Sequence, residues 1–189
     1  MIFVLDNYDS FTYNLVHLLY ALEPDIVVRR NRDVTVNEVL AMKPEAIILS
    51  PGPGRPETAG IMPELIVAAA REGIPMLGVC LGHQAIGEVF GARLENLSDV
   101  YHGVATEGTQ FGNDEIFSGL PKRITMGRYH SWVVAKDGLP DCLEVTAESD
   151  DGQIMALRHK TLNMRGIQFH PESVLTPDGR KMLQNWLFL

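Results

Sequence analysis

The first fifty residues alternate short apolar runs with segments of helical spacing, and this alternation restricts the fold more than any other feature of the chain. An apolar spacing over 15–22 and a capping box of Thr35 and Glu38 predict two helices between the runs. Because such an alternation is typical of parallel strands joined by right-handed crossovers, we expect helices on both faces of a sheet. The predicted strands occupy residues 2–6, 26–28 and 46–50.

The boundaries of the other helices follow from the residues that flank each apolar spacing. Asp9 or Ser10 is predicted to cap the first helix, and Pro63 fits the first turn of a third helix over 61–71. The chain ends in a helix whose apolar face carries Met182, Leu183, Trp186 and Leu187.

The second half of the chain contains short runs of β-type composition that Gly, Asp and Pro separate. We expect hairpins that lie beside the parallel core and extend it into a mixed sheet. The predicted strands are 104–107, 133–135, 143–147, 154–158 and 166–170. For 189 residues without a low-complexity linker, we expect one domain over 1–189. The predicted fold is α/β with three layers, an open, mixed and mainly parallel sheet between two layers of helices.

A fourth apolar run, 76–79, breaks at Cys80 and continues into a helical spacing over 85–90. Gly78 and Gly82 lie two residues to either side of the cysteine, where the absence of a Cβ permits strained dihedrals and close approach of helix and strand. This pattern is typical of a nucleophile elbow, with a thiol in place of the hydroxyl. The free amides at the start of a helix would favour the thiolate. By itself the stretch is equally compatible with a structural cysteine that packs as a small hydrophobe.

Proline and glycine alternate from Pro51 to Pro56, directly after the third predicted strand. The loop therefore lies at the carboxyl end of a parallel strand, where open α/β sheets bind ligands. Proline holds the loop in shape before binding, while Gly52 and Gly54 allow backbone amides to approach a ligand closely. The pattern is equally typical of a tight connection that binds nothing.

Composition argues against several classes of function. A net charge of −8 without a basic cluster disfavours nucleic acid as a partner. No apolar run approaches the length that a bilayer requires, and no basic segment precedes the first strand as in a secretory signal. We therefore expect a cytoplasmic protein in which Cys80 and Cys142 are both reduced, with no membrane partner.

A cysteine nucleophile needs a base, and the chain has six histidines. His17 and His159 lie among ordinary helix or strand residues, which indicates surface or packing roles. His83 lies on the helix that follows Cys80 and is not obviously directed at the thiol. His102 and His130 lie in loops or at strand edges, where the pattern does not decide their role.

His170 differs from the other histidines because it ends a predicted strand and is followed by Pro171 and Glu172. In extended backbone, residues i and i+2 face the same way, so Glu172 could bond the far nitrogen of His170 and fix its tautomer. That contact would supply the third member of a triad. Taken by itself, an acidic residue at this position is more commonly one that begins a helix.

Three motifs in this order resemble the class I glutamine amidotransferase family, whose members use a catalytic triad. They are Ser50–Gly54 (SPGPG), Gly78–Gln84 (GVCLGHQ) and Gln168–Ser173 (QFHPES). The opening Leu5–Leu15 (LDNYDSFTYNL) is similar to the glutaminase subunits of anthranilate synthase and 4-aminobenzoate synthase. The complete PGPG loop favours the anthranilate group, because this loop varies in the 4-aminobenzoate group.

The resemblance implies that Cys80 attacks the side-chain amide of L-glutamine, that His170 acts as base and then acid, and that Glu172 orients His170. The backbone amides of Gly54 and Leu81 would form the oxyanion hole. The residues implied to bind the substrate are Gly52, Pro53, Gly54, Gln84, Ser131 and Trp132. Family members often carry leucine at the position of Trp132, so this side chain could alter the pocket wall or a partner surface.

The resemblance also implies a partner, because ammonia released at neutral pH is largely protonated and needs a nearby consumer. No stretch of the chain resembles a chorismate-binding domain, so we expect the aminating subunit, component I of anthranilate or 4-aminobenzoate synthase, to be a separate chain. We expect no cofactor or metal in this chain, and Mg²⁺ only in the partner subunit. Glutaminase activity is expected to be weak alone and raised by the partner.

Two other functions stay open at the level of sequence. One is a non-catalytic α/β binding module in which Cys80 is structural. The other is a free-standing hydrolase of γ-glutamyl bonds, which would need no partner.

Overall fold

The computed structural model describes residues 1–189 and contains eleven strands and five α-helices. The strands are β1 (Ile2–Asp6), β2 (Ile26–Arg30), β3 (Ala46–Leu49), β4 (Met76–Val79), β5 (Leu94–Asn96), β6 (Val104–Gln110), β7 (Arg123–Arg128), β8 (Trp132–Val134), β9 (Leu143–Ser149), β10 (Ile154–His159) and β11 (Met164–Ile167). The helices are α1 (Thr12–Tyr20), α2 (Val36–Ala41), α3 (Met62–Glu72), α4 (Leu81–Val89) and α5 (Gly179–Leu187).

Nine strands form one mixed sheet in the order β2-β1-β3-β4-β11-β10-β9-β6-β7. Strands β2, β1, β3, β4 and β11 pair in parallel, and the four that follow pair antiparallel. Strands β5 and β8 form a separate two-stranded sheet. The predicted α/β fold is therefore confirmed, with a parallel core that antiparallel hairpins extend.

Each face of the sheet carries its own hydrophobic core. One core contains Leu15 of α1 and Trp186 of α5, and the other contains Leu65 of α3 and Ile86 of α4. Strands β1, β3, β4 and β11 are buried along their whole length because helices cover them on both sides. This burial explains why they read as continuous apolar runs in the sequence. No helix is long and apolar enough to cross a bilayer.

The capping box of Thr35 and Glu38 is present, since the Thr35 side chain accepts from the Glu38 amide and the Glu38 carboxylate accepts from the Thr35 amide. Helix α1 is present, but the prediction that Asp9 or Ser10 caps it was wrong. Phe11 occupies the N-cap position without a side-chain hydrogen bond, and the Asp9 carboxylate accepts from the Phe11 amide two residues later. A short polar turn therefore separates β1 from α1.

The strand predictions for the second half of the chain need three corrections. Strands β5 and β7 were missed, and β8, predicted as part of the mixed sheet, pairs with β5 outside it. The last predicted strand, 166–170, begins at Met164 and ends at Ile167. It is not a simple hairpin strand, because β11 pairs in parallel with β4 on one side and antiparallel with β10 on the other.

Candidate active site

The turn from β4 into α4 holds Cys80 in a strained conformation. Its φ of 53° and ψ of −99° lie outside the regions that ordinary residues occupy. Only glycine fits beside it, because a Cβ on Gly78 would collide with the Gly82 carbonyl, and a Cβ on Gly82 would lie 2.7 Å from the Leu49 carbonyl oxygen. The elbow predicted from the sequence is confirmed, and its strain points the thiol away from the strand.

Cys80 is a free thiol with only 6% of its surface exposed, and Cys142 is also free. Cys80 lines a cleft of about 170 Å³. The residues that line the cleft are Gly52, Gly54, Cys80, Leu81, Gln84, Tyr129, His130, Ser131 and Trp132. The structure therefore gathers residues from the PGPG loop, the elbow and the 129–132 segment around one thiol.

Two of these residues present unused backbone donors. The Gly54 amide donates to no protein acceptor, and Gly54 adopts a φ of +77°, which favours glycine. Leu81 is the first residue of α4, so its amide has no partner within the helix. Donors in this position could stabilise an oxyanion that forms on an acyl group attached to Cys80.

Pro53 is the one predicted substrate residue that does not line this cleft. It lies in a neighbouring cavity of about 360 Å³ with Asn7, Tyr8 and Asn31. Gly54 and Leu81 line both cavities. Pro53 therefore contributes to the shape of the loop from its outer side.

His170 and Glu172 lie just beyond the end of β11 and form a buried pair. The Nδ1 atom of His170 is 2.6 Å from a Glu172 carboxylate oxygen, and the Glu172 side chain is fully buried. The pairing was predicted from an extended strand through both residues, but β11 ends at Ile167 and a turn makes the contact. Nδ1 is occupied by the carboxylate, so Nε2 is the nitrogen available to Cys80.

The electrostatics of this pair favour a protonated imidazole. Burial alone would lower the pKa of His170, but hydrogen bonding and charge from Cys80 and Glu172 outweigh burial and raise this pKa to about 10. Nε2 itself has no well-aligned hydrogen bond. We conclude that the Cys80 thiol and the Glu172 carboxylate together hold the proton on this imidazole.

The other histidines have different environments. His17 is exposed and His159 packs against Phe90, as their positions in the sequence indicated. His83 is fully buried against Gly166 of β11 and not in the cleft. His130 lines the cleft, and burial together with the charge of Arg128 lowers its pKa to about 3.

Sequence reasoning missed four side chains of the site. Phe11 and Tyr129 pack their rings against His170, with ring centroids 5.8 and 4.8 Å away. Gln168 begins the QFHPES motif, but the sequence predicted no role for it. Its Nε2 atom is 3.6 Å from the sulfur of Cys80. Arg128 is fully buried and donates to His130. No local pattern in the sequence signals Arg128, because its burial depends on contacts with Asp151 and Tyr101.

The sequence of residues 3–189 matches the family model described as glutamine amidotransferase class-I. The chain belongs to this family. It is 49% identical to anthranilate synthase component 2 of Azospirillum brasilense, over 99% of this chain and 95% of that protein. It is 44% identical to the aminodeoxychorismate/anthranilate synthase component 2 of Bacillus subtilis, over 99% and 95% of the two chains.

The fold comparison agrees with the family assignment. A glutamine amidotransferase structure from Thermotoga maritima superposes with a TM-score of 0.79 over 98% of this chain and 95% of that one. The two share 15% of their residues, so this likeness supports the fold alone. The predicted membership of the class I glutamine amidotransferase family is confirmed.

Proposed function

We propose that the chain hydrolyses L-glutamine to glutamate and ammonia and supplies the ammonia to a separate chorismate-aminating subunit for anthranilate synthesis. The observation that carries the proposal is the buried unit of Cys80, His170 and Glu172 at a strained elbow. A structural cysteine would need neither the strain nor a histidine whose pKa is raised beside it. The non-catalytic alternative leaves both features without an explanation.

The proposed reaction begins from a resting pair in which His170 already holds the proton of the Cys80 thiol, and the sulfur attacks the side-chain carbonyl carbon of glutamine. The amides of Gly54 and Leu81 would bind the oxyanion, and each such donor contributes about 3 kcal/mol in comparable sites. His170 then protonates the departing nitrogen, so ammonia leaves and a γ-glutamyl thioester remains on Cys80.

Water completes the proposed cycle. His170 removes a proton from the water that attacks the thioester, and glutamate leaves as the sulfur regains its negative charge. Glu172 holds the imidazole through Nδ1 at both stages. Every step uses groups of this chain and water, so the proposal requires no cofactor here, and Mg²⁺ is assigned only to the partner.

The cleft also supports specific roles in holding the amino-acid end of glutamine. Both amide hydrogens of Gln84 are used, because its Nε2 donates to the Trp132 carbonyl at 2.8 Å and to the Gln168 side chain at 3.2 Å. Gln84 therefore presents its oxygen to the cleft, which suits the substrate ammonium group. Ser131 and Trp132 line the same cleft, and the Trp132 carbonyl lies next to the Gln84 side chain. The Trp132 indole itself lies under the Arg55 guanidinium, 4.9 Å from its carbon, so the exchange of leucine for tryptophan leaves the backbone contact available.

The proposed partner would dock next to the triad. Val174, two residues after Glu172, is 95% exposed, and Tyr13 and Tyr8 are also exposed apolar residues in the loops and helix that follow parallel strands. A subunit that covers Val174 would press on the segment that carries His170, which explains how it could raise glutaminase activity. The free thiols fit the reducing cytoplasm that we propose as its compartment.

The function is tested by reconstitution with the co-purifying aminating subunit, identified by mass spectrometry. We expect Cys80→Ser to abolish glutamine-dependent synthesis by the complex and to leave synthesis from added ammonium salts intact. The control is Cys142→Ser, which should retain both activities. Loss of both activities in the Cys80 variant would contradict the proposed division of labour.

A second candidate is 4-aminobenzoate synthesis, alone or together with anthranilate synthesis. It is favoured by the Bacillus subtilis relative, whose name includes both synthases. Mixing the purified chain with each class of aminating subunit in turn and measuring glutamine-dependent product distinguishes the pathways. Activation by only one class would assign the chain to that pathway. A full rate of glutamine hydrolysis without either subunit would instead support a free-standing hydrolase.

A further inference from the structure

The side chain of Gln168 lies between the nucleophile and the substrate-binding residue Gln84. It is fully buried, and its Nε2 atom is 3.6 Å from the sulfur of Cys80. Its Oε1 atom accepts from Nε2 of Gln84 at 3.2 Å. The carboxamide therefore contacts the reacting atom at one end and the proposed substrate site at the other.

The orientation of this carboxamide is fixed by a backbone carbonyl. The Trp132 carbonyl oxygen can only accept, so the Gln84 atom 2.8 Å from it must be nitrogen. The same nitrogen lies next to Gln168, so the facing atom of Gln168 must be oxygen, and the atom that faces Cys80 must be the N–H donor. A flipped Gln168 would place two N–H groups against each other.

The Trp132 carbonyl is held by His130, which in turn is held by the buried Arg128. Arg128 can only donate, so Nε2 of His130 accepts from the arginine at 3.1 Å and Nδ1 of His130 must carry the proton toward the Trp132 oxygen. Asp151 accepts from Arg128 at 3.0 Å. The direction of every hydrogen bond from Asp151 to Cys80 is thus determined.

We propose that Gln168 is a catalytic residue whose Nε2–H group donates a hydrogen bond to the Cys80 sulfur and stabilises its thiolate. The proposal rests on the glutaminase function, since it gives Gln168 a role in stabilising the nucleophile of that reaction. With the thiol proton held on His170, the negative charge lies on the sulfur that faces Gln168. The bond weakens in the thioester and strengthens again when water releases glutamate and the sulfur leaves as thiolate.

The proposal is tested on the full chain by alkylation of Cys80 with iodoacetamide across a range of pH. This small neutral probe needs neither glutamine nor a partner subunit. Gln168→Met removes the donor at nearly constant shape, and we expect the pH midpoint of alkylation to rise by about one unit and the rate at pH 7 to fall about tenfold. The expected fall in kcat for glutamine hydrolysis is also about tenfold, with KM changed less than threefold.

Two variants separate this role from a structural one. Gln110→Met makes the same change at another buried glutamine, whose side chain forms hydrogen bonds only with Pro121 and Gly112, and it should leave the midpoint unchanged. Gln168→Glu keeps an oxygen for Gln84 but replaces the donor that faces the sulfur, and we expect a midpoint at least as high as that of Gln168→Met.

An unchanged midpoint in Gln168→Met would overturn the proposal. Recovery of parent behaviour in Gln168→Glu would also overturn it, because it would show that Gln168 only holds Gln84. The proposed function fails separately, if the parent chain with its partner releases no glutamate from glutamine while alkylation still depends on Gln168.

Discussion

Two groups of buried histidines near Cys80 are in opposite charge states. Just beyond the end of β11, contacts with Cys80 and Glu172 raise the pKa of His170 to about 10 in spite of burial. Burial lowers the pKa of His83 to about 4 and that of His130 to about 3, and the charge of Arg128 lowers the pKa of His130 further. Burial is common to all three, so the contacts with Cys80 and Glu172 determine which imidazole is charged at neutral pH.

The comparison indicates how this fold separates catalysis from support. A charged imidazole can stabilise a thiolate and transfer a proton, whereas a neutral one with both nitrogens committed can only hold its neighbours. His130 belongs to the second kind, since it links Arg128 to the Trp132 carbonyl. His83 has neither an acid nor a well-aligned hydrogen bond, which leaves packing against Gly166 as its role.

The largest expected effect comes from removing the carboxylate that pairs with His170. In Glu172→Gln the buried carboxylate is replaced by a neutral amide. The pKa of His170 should therefore fall, and the imidazole ring should be held less firmly. We expect kcat for glutamine hydrolysis in the reconstituted complex to fall about 100-fold, less than for the serine triads because a thiol ionises more readily.

The measurement is kcat against pH, combined with an NMR titration of His170. The matched control is Glu144→Gln, which removes a carboxylate paired with Arg158 away from the cleft. A variant with parent kcat, or with the His170 titration unchanged, would show that the buried acid does not control the imidazole.

The second prediction concerns stability, where the two regions act in opposite pH windows. The folded-state pKa of His83, about 4, is lower than the value of about 6.5 in the unfolded chain. The unfolded chain therefore binds more protons between these values, and the free energy of unfolding falls as the pH falls from 6.5 toward 4. His170 has the reverse sign, because its contribution is complete below pH 6.5 and is lost as the pH rises through about 10.

His83→Leu isolates the neutral region. Leucine has nearly the volume of histidine and cannot be protonated, so we expect the loss of unfolding free energy between pH 7 and pH 5 to be smaller by about 2 kcal/mol than in the parent. Urea unfolding at the two pH values measures this difference, and kcat should stay within about threefold of the parent because His83 lies outside the cleft. An equal acid loss in parent and variant would mean that the pKa of His83 is not lowered in the folded chain.

The sequence predicted the parallel half of the sheet more completely than the antiparallel half, for a physical reason. Strands β1, β3 and β4 are buried on both faces and form apolar runs that need no partner to be recognised. Strand β7 carries Arg123 and Arg128 at its ends, and the burial of Arg128 depends on Asp151 and Tyr101 from other parts of the chain. Such pairing is set by tertiary contacts that a local pattern does not contain.

The candidate site shows the same division. Cys80 and its flanking glycines lie within one continuous elbow, so local spacing predicted them. The pairing of His170 with Glu172 was also predicted, although through a strand that ends three residues earlier. Gln168 has no local signal for its contact with Cys80, because the two residues are 88 positions apart and meet only when β11 pairs with β4.

The smallest expected effect concerns His130, the second neutral histidine. In His130→Phe the aromatic ring is kept but the donor to the Trp132 carbonyl is lost, so the substrate-binding backbone should be held less firmly. We expect KM for glutamine to rise about fivefold, because the loss of one hydrogen bond costs about 1 kcal/mol, and kcat to change less than twofold.

The control is His102→Phe, since His102 is exposed and contacts only the edge of Tyr129 among the aromatic rings. Steady-state kinetics of the complex at pH 7 measure kcat and KM for both variants and so show whether His130 supports substrate binding or the chemical step. If kcat fell and KM did not change, His130 would act on the chemistry, and the separation of charged and neutral histidines into catalytic and supporting groups would be wrong.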